Sequence, residues 1–192
     1  MSKPFVLGIG GTTRAGSSSE LVLRAALKEI EALGAETECV AGPDLILPLY
    51  APENPERDPK AQRLIELVRK ADGIVIASPG YHGSISGMIK NALDYVEDTA
   101  KDDRVYLDGR AVGCIACAYG WQATGSTLIA LRTIVHALRG WPTPLGVAAN
   151  TTTRLFSEDG DCSDAGLNTN LRILASQVMH FVHLSAALKE TA

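Results

Sequence analysis

Residues 10–20 read G-G-T-T-R-A-G-S-S-S-E, and these types in this order can hold an anion. Thr12, Thr13, Ser17, Ser18 and Ser19 supply hydroxyl donors, and Arg14 supplies a guanidinium whose planar fork matches a phosphate. An apolar run, Phe5 to Ile9, precedes the stretch, and Glu20-Leu21-Val22-Leu23 opens a helical pattern after it. In such a strand–turn–helix unit the first N–H groups of the helix lack intrahelical partners. The helix dipole adds partial positive charge beside them. Gly8, Gly10 and Thr13 supply only two of the three glycines of a dinucleotide fingerprint, and no lysine follows to make a Walker loop. A hydroxyl-lined turn suits the terminal phosphate ester of a mononucleotide. The plain alternative is a tight turn in which Ser17 is only a helix N-cap.

A second loop, Gly80-Tyr81-His82-Gly83-Ser84, offers backbone N–H groups, an aromatic ring and two glycines that permit close approach. It could hydrogen-bond the rim of a flat heterocycle, with Tyr119 and Trp121 of a third loop, Tyr119 to Gly125, bordering another side. The alternatives are a rim-packing Tyr81 and a solvated His82. Cys114 and Cys117 form C-x-x-C, but within the buried run V-G-C-I-A-C-A they would face opposite sides of a sheet. They read as small hydrophobes, and no metal site is expected. His180 and His183, spaced i,i+3 on the last helix, read as packing or interface positions. No Ser-His-Asp order or nucleophile elbow is visible, so no catalytic side chain is expected.

These loops need elements to hold them. Strand one spans Pro4 to Ile9, helix one Ser18 to Leu33, and strand two Glu36 to Val40. The connection Ala41 to Pro59 holds five of the nine prolines and is longer than packing requires, which suggests a binding or interface excursion. Asp58-Pro59 caps a helix running to Ala71. Strand three, Gly73 to Ala77, is an apolar run of the kind buried on both faces of a parallel sheet. Helix three opens at Ser86, strand four spans Ala111 to Ala118, helix four Ser126 to Leu138, and strand five Thr143 to Ala149. Asp164 caps a closing helix to Leu188. Five βα units with right-handed crossovers imply an α/β fold of three layers, a five-stranded parallel sheet with helices on both faces. A phosphate turn after strand one favours the flavodoxin-like order 2-1-3-4-5, whose switch point lies between strands one and three. There the first two loops would meet.

The 192 residues fit one domain, with neither repeat nor linker to divide them. A net charge of −4 without a basic run argues against nucleic acid. No run approaches the ~18 unbroken apolar residues of a membrane span. Met1-Ser2-Lys3-Pro4 leads straight into a strand with no visible leader, so the cytoplasm is the expected compartment.

Three segments carry a resemblance. Gly11-Thr12-Thr13-Arg14-Ala15-Gly16-Ser17 is similar to the phosphate pattern G-S-x-R-x-x-S, and Leu47-Pro48-Leu49-Tyr50 looks like an L-P-x-Y that follows strand two. Pro79 to Asp94, P-G-Y-H-G-S-I-S-G-M-I-K-N-A-L-D, is similar to P-E-Y-N-x-x-x-P-G-x-L-K-N-x-x-D. Together they resemble the NAD(P)H-dependent FMN reductase family, a flavodoxin-like group. The departures are Gly80 for Glu, His82 for Asn and Ser86 for Pro. By this resemblance Thr12, Arg14, Ser17 and Ser19 would hold the FMN phosphate. Tyr81, His82, Gly83 and Ser84 would hold the isoalloxazine and ribityl region. Pro79 and Gly80 would complete that loop, with Tyr119 and Gly120 bordering the ring. NADPH or NADH would deliver hydride to flavin N5, and a backbone N–H near the N1/O2 edge would stabilise the reduced ring. Reduced FMN would leave for a monooxygenase, or stay bound and reduce a quinone, azo dye or metal ion. A flavin-binding electron-transfer module without nicotinamide activity is the other class. Met88 to Val96 holds more apolar residues than one stripe needs, so a homodimer or homotetramer through helix three and the 41–59 excursion is expected. The alternative is a monomer whose surplus packs under its own loop.

Overall fold

The computed structural model describes residues 3–157 and 160–191. Three parallel strands form its centre: β1 (Phe5–Gly10), β3 (Gly73–Tyr81) and β5 (Ala111–Ala118). β2 (Glu36–Ala41) pairs outside β1, while β6 (Trp141–Pro142) and β7 (Val147–Asn150) share the far edge of β5. The order β2-β1-β3-β5, with β6 and β7 on one outer edge, is the expected 2-1-3-4-5 with its last strand in two pieces. Pro142 and Pro144 have no N–H to donate, so the ladder cannot run continuously between those pieces. Gln177 accepts the N–H of Leu145 in the gap, at 2.9 Å.

Side-chain alternation splits the core in two. Val6, Val75, Ile115 and Val147 face α1 (Ser18–Ala32) and α5 (Ala165–Thr191). Leu7, Ile74, Ile76 and Val112 face α2 (Pro59–Lys70), α3 (Gly87–Asp94) and α4 (Trp121–Ala137). Cys117 belongs to the first cluster and Cys114 to the second, so their sulfurs lie on opposite faces of the sheet. Burial pushes both thiols up to about 12, which leaves them protonated and unreactive near neutral pH. Among the described residues, no group of three His, Cys, Asp or Glu side chains could hold a metal ion.

α5 is long and apolar enough, by composition alone, to cross a membrane. Its run is broken by Asn168, Asn170, Arg172, Gln177 and His180, so it is not the unbroken apolar segment of a span. The helix spends its apolar side inside the protein: Leu171, Leu174, Val178 and Val182 are buried against the sheet and α1.

Two further boundaries differ from the sequence reading. β3 runs on to Tyr81 and turns back through a short β4 (Ser84–Ile85), so the second loop is a hairpin. α4 begins at Trp121, which shortens the third loop to Tyr119 and Gly120. Gly125 sits inside the helix, where its low propensity is outweighed by burial of Thr124 and Thr127. The excursion after β2 starts with a short 3₁₀ turn (Gly42–Leu45) and then lies on α3. Asn91 pins it there from both amide ends, accepting from the Tyr50 N–H and donating to the Pro48 carbonyl, both at 2.8 Å. Arg57 forks onto Asp98 at 2.6 and 2.9 Å and holds that carboxyl below its ordinary range, with Tyr50 and Tyr95 within ring-contact distance of the guanidinium. Tyr95 is thereby buried under the chain's own loop.

Candidate functional site

β1 and β3 are neighbours whose following helices lie on opposite faces of the sheet, so the chain diverges beyond their C-terminal ends and leaves a crevice. A cavity of about 430 Å³ opens there. Thr12, Arg14, Ser17, Ser18 and Ser19 line it from the first loop, and Pro79, Gly80 and Tyr81 from the second. Cys117, Ala118 and Tyr119 line it from the end of β5, with Thr151 beyond β7.

The first loop is braced from behind. Glu20, almost wholly buried, accepts the Gly16 N–H at 3.0 Å on one carboxylate oxygen and the Arg24 guanidinium at 2.9 Å on the other. Gly11, at φ 99, lets the chain leave β1 while donating to the Ala77 carbonyl. Thr12 closes a local turn by accepting the Arg14 N–H at 3.2 Å. With loop and helix so held, the front edge stays open. Ser17 occupies the N-cap of α1, yet its hydroxyl caps nothing; it lies 3.5 Å from the Ser19 hydroxyl. α2 is capped by Asp58, α3 by Ser86 and α5 by Asp164. α1 and α4 have no side-chain cap, and the first residues of α1, Ser18 and Ser19, line the crevice. Arg14 is exposed at its mouth and makes no ion pair among the described residues. Free helix N–H groups, hydroxyls and an unpaired guanidinium form a donor set that fits a phosphate monoester.

The second loop is shaped by two glycines. A Cβ at Gly80 would run into the Thr127 hydroxyl and crowd the Ala118 methyl, so only glycine lets β3 pass this close to α4. The hairpin turns on His82 and Gly83, at φ 51 and 85, the left-handed pair that a two-residue turn between right-twisted strands requires. Ser78 accepts the Ser86 N–H at 3.0 Å, and Ser86 in turn caps α3, which ties the hairpin to the helix behind it. Tyr81, 52% exposed, lines the crevice, whereas His82, Gly83 and Ser84 form the hairpin tip and return outside its lining.

Tyr119 stands on the third side, 79% exposed, and Gly120 turns at φ 107 outside the lining. That turn is fixed by Asn150, whose carboxamide oxygen accepts the Gly120 N–H at 3.2 Å together with the Thr152 N–H and hydroxyl at 3.1 and 2.9 Å. Thr151 donates to the Ala118 carbonyl, which closes the last wall. Eight of the twelve predicted site residues therefore line one cavity, namely Thr12, Arg14, Ser17, Ser19, Pro79, Gly80, Tyr81 and Tyr119. Ser18, Cys117, Ala118 and Thr151 line it without having been singled out as site residues. Thr151 had a signal: it follows the last strand, at the carboxyl edge where ligands of such sheets bind.

A family model described as NADPH-dependent FMN reductase matches residues 4–153. An FMN-dependent NADPH-azoreductase of Staphylococcus aureus (strain USA300) is 30% identical over 141 residues, 71% of this chain and 71% of that one. Among solved structures, the flavoenzyme NAD(P)H:(acceptor) oxidoreductase FerB from Paracoccus denitrificans superposes with a TM-score of 0.77 at 17% identity. The match covers 93% of this chain and 98% of that one. An apo NADH:FMN oxidoreductase, EMOB, gives 0.70 at 18% identity over 92% and 90% of the two chains. These structural likenesses establish the flavodoxin-like fold, and the sequence match, which runs from β1 to just beyond β7, establishes more: the chain belongs to the NADPH-dependent FMN reductase family.

Proposed function

We propose that this chain is an NAD(P)H-dependent FMN oxidoreductase that passes electrons to a flat aromatic acceptor such as an azo compound or a quinone. The crevice carries the reading. Its phosphate-type donors, Thr12, Arg14, Ser17 and Ser19, share one cavity with the rings of Tyr81 and Tyr119. Bound there, FMN would supply the redox chemistry, taking a hydride at N5 and giving up two electrons. The chain supplies position and charge. Arg14 and the open end of α1 neutralise and orient a phosphate, and the close pass at Gly80 sets how near the second loop stands to a ring. Tyr81 and Tyr119 offer faces for a planar acceptor. The relative named as an azoreductase favours an acceptor reduced at the protein over release of reduced flavin to a monooxygenase.

Flavin fluorescence titration tests this directly. One FMN per chain is expected, with NADPH or NADH oxidised once FMN and an azo or quinone acceptor are present. Absence of oxidation at saturating FMN would leave a flavin-binding module, and absence of FMN binding would sink both readings. Flavin co-migrating with the protein after reduction supports reduction of the acceptor at the protein; free reduced flavin supports supply to a monooxygenase.

We also propose self-association, as a homodimer or homotetramer. Tyr95 is consumed beneath the chain's own loop, so the surplus now lies on the excursion itself. Leu49 is 86% and Ile46 54% exposed there, beside α3. Burial of such side chains against a twofold copy is favourable by roughly 1.5–3 kcal/mol each. Sedimentation at micromolar concentration is expected to show a species larger than one chain; a single-chain mass with and without FMN would end this proposal.

A further inference from the structure

A second cavity, about 470 Å³, shares a wall with the crevice. The wall is the segment 150–152. Thr151 lines the crevice, whereas Asn150 and Thr152, on either side of it in sequence, line the second cavity. Across the third loop the same division recurs, with Tyr119 on the crevice and Trp121 on the second cavity. Leu155 and Leu167 form an apolar floor.

The walls offer a particular chemistry. Trp121 presents an indole that is 67% exposed, a stacking face for a planar base. Asn150 has its carboxamide oxygen occupied by Gly120 and Thr152, which leaves its NH₂ as the available group. Asp164 uses one carboxylate oxygen on the Leu167 N–H at 2.9 Å, which leaves the other as an acceptor. Asn170 completes the polar side. No lysine or arginine lines the cavity among the described residues. An aromatic face with amide, hydroxyl and carboxylate groups recognises a nucleoside, and a carboxylate without a cation favours a free ribose 2′-hydroxyl over a 2′-phosphate. The N-terminus of α4, without a side-chain cap, lies at the wall between the two cavities.

We propose that the second cavity takes the adenosine half of the reduced dinucleotide and selects NADH over NADPH, a reading that rests on the crevice being the flavin and nicotinamide site. Two cavities that share one wall suit two planar groups joined by a flexible diphosphate.

Isothermal titration with 5′-AMP and with 2′,5′-ADP, each alone, reads this cavity without turnover. The 5′-AMP is expected to bind at least about tenfold more tightly than 2′,5′-ADP. Trp121→Ala and Asn170→Ala should each weaken 5′-AMP by about threefold or more. Asp164→Asn keeps a good N-cap for α5 but removes the charge, and should narrow the gap between the two probes. Parallel FMN titration should be unchanged in the Asn170→Ala and Asp164→Asn proteins, which also verifies that they fold. Equal or tighter binding of 2′,5′-ADP, no 5′-AMP binding at millimolar concentration, or 5′-AMP affinity untouched by all three substitutions would overturn the proposal. The expected 5′-AMP pattern in a chain that fails to bind FMN would uphold the nucleoside cavity and remove the reductase reading.

Discussion

Arg110→Ala is expected to destabilise the fold by roughly 3–5 kcal/mol, the largest single effect anticipated in this chain. Arg110 is 1% exposed, and no carboxylate forms an ion pair with it among the described residues. Its guanidinium is satisfied by carbonyls alone: Ala71 at 2.9 Å, Tyr106 at 2.9 Å and Arg69 at 3.1 Å. Two of those carbonyls end α2, so the side chain works as a C-terminal cap delivered from the start of β5. Burial pushes its pKa down to about 10, and it still carries its charge at neutral pH. Truncation removes three charge-assisted bonds and opens a cavity. Arg104, which also donates to Ala71 at 3.0 Å, can serve only one of the three carbonyls. Urea unfolding of Arg110→Ala checks the value, and a loss below about 1 kcal/mol would show that the carbonyls find water instead. Arg110→Met, which keeps volume without donors, should recover only the cavity part.

Arg14→Ala is expected to weaken FMN by roughly 1.5–3 kcal/mol, about 10- to 150-fold in Kd, and riboflavin hardly at all. FMN differs from riboflavin by its phosphate, so the comparison isolates the contact proposed for Arg14. Arg14 is exposed, and solvent screening of its charge places the effect toward the lower end of that range. Its partners in the cradle should retain part of the affinity, because the α1 N–H groups and the Ser17 and Ser19 hydroxyls do not depend on it. Raising salt should narrow the difference between wild type and variant. Equal weakening of both flavins would reassign Arg14 to holding the loop's shape.

The segments that carry the family resemblance divide by role once they are folded. In Pro79 to Asp94 the first three residues line the crevice, while Asn91, far along the same segment, anchors the excursion at Pro48 and Tyr50. The L-P-x-Y segment and the asparagine are therefore two halves of one structural clasp. His82 stands at a left-handed turn position, where the family pattern has asparagine, the residue that tolerates φ above zero most readily after glycine. Gly80 departs from the family's glutamate at a point where Thr127 leaves no room for a side chain.

From the sequence alone one could read the parallel α/β class, the strand order, the hydroxyl-rich turn between strand one and helix one, and the opposed faces of Cys114 and Cys117. Each depends on local rules: alternation over a few residues, glycines at a strand end, hydroxyls before a helix, and the handedness of crossovers. The extension of β3 into a hairpin, the start of α4 at Trp121 and the split of the last strand were not legible. They depend on what packs against them: Thr127 beneath Gly80, the buried Thr124, and prolines meeting a ladder whose partner lies in β5. Thr151 and the second cavity belong to the same class. Three successive threonines follow Asn150 and are alike in sequence, yet the bond from Thr151 to Ala118 turns one of them toward the crevice while Thr152 and Thr153 line the other cavity. Local propensity sets where a strand ends; only the neighbouring strand decides which side each residue beyond it will face.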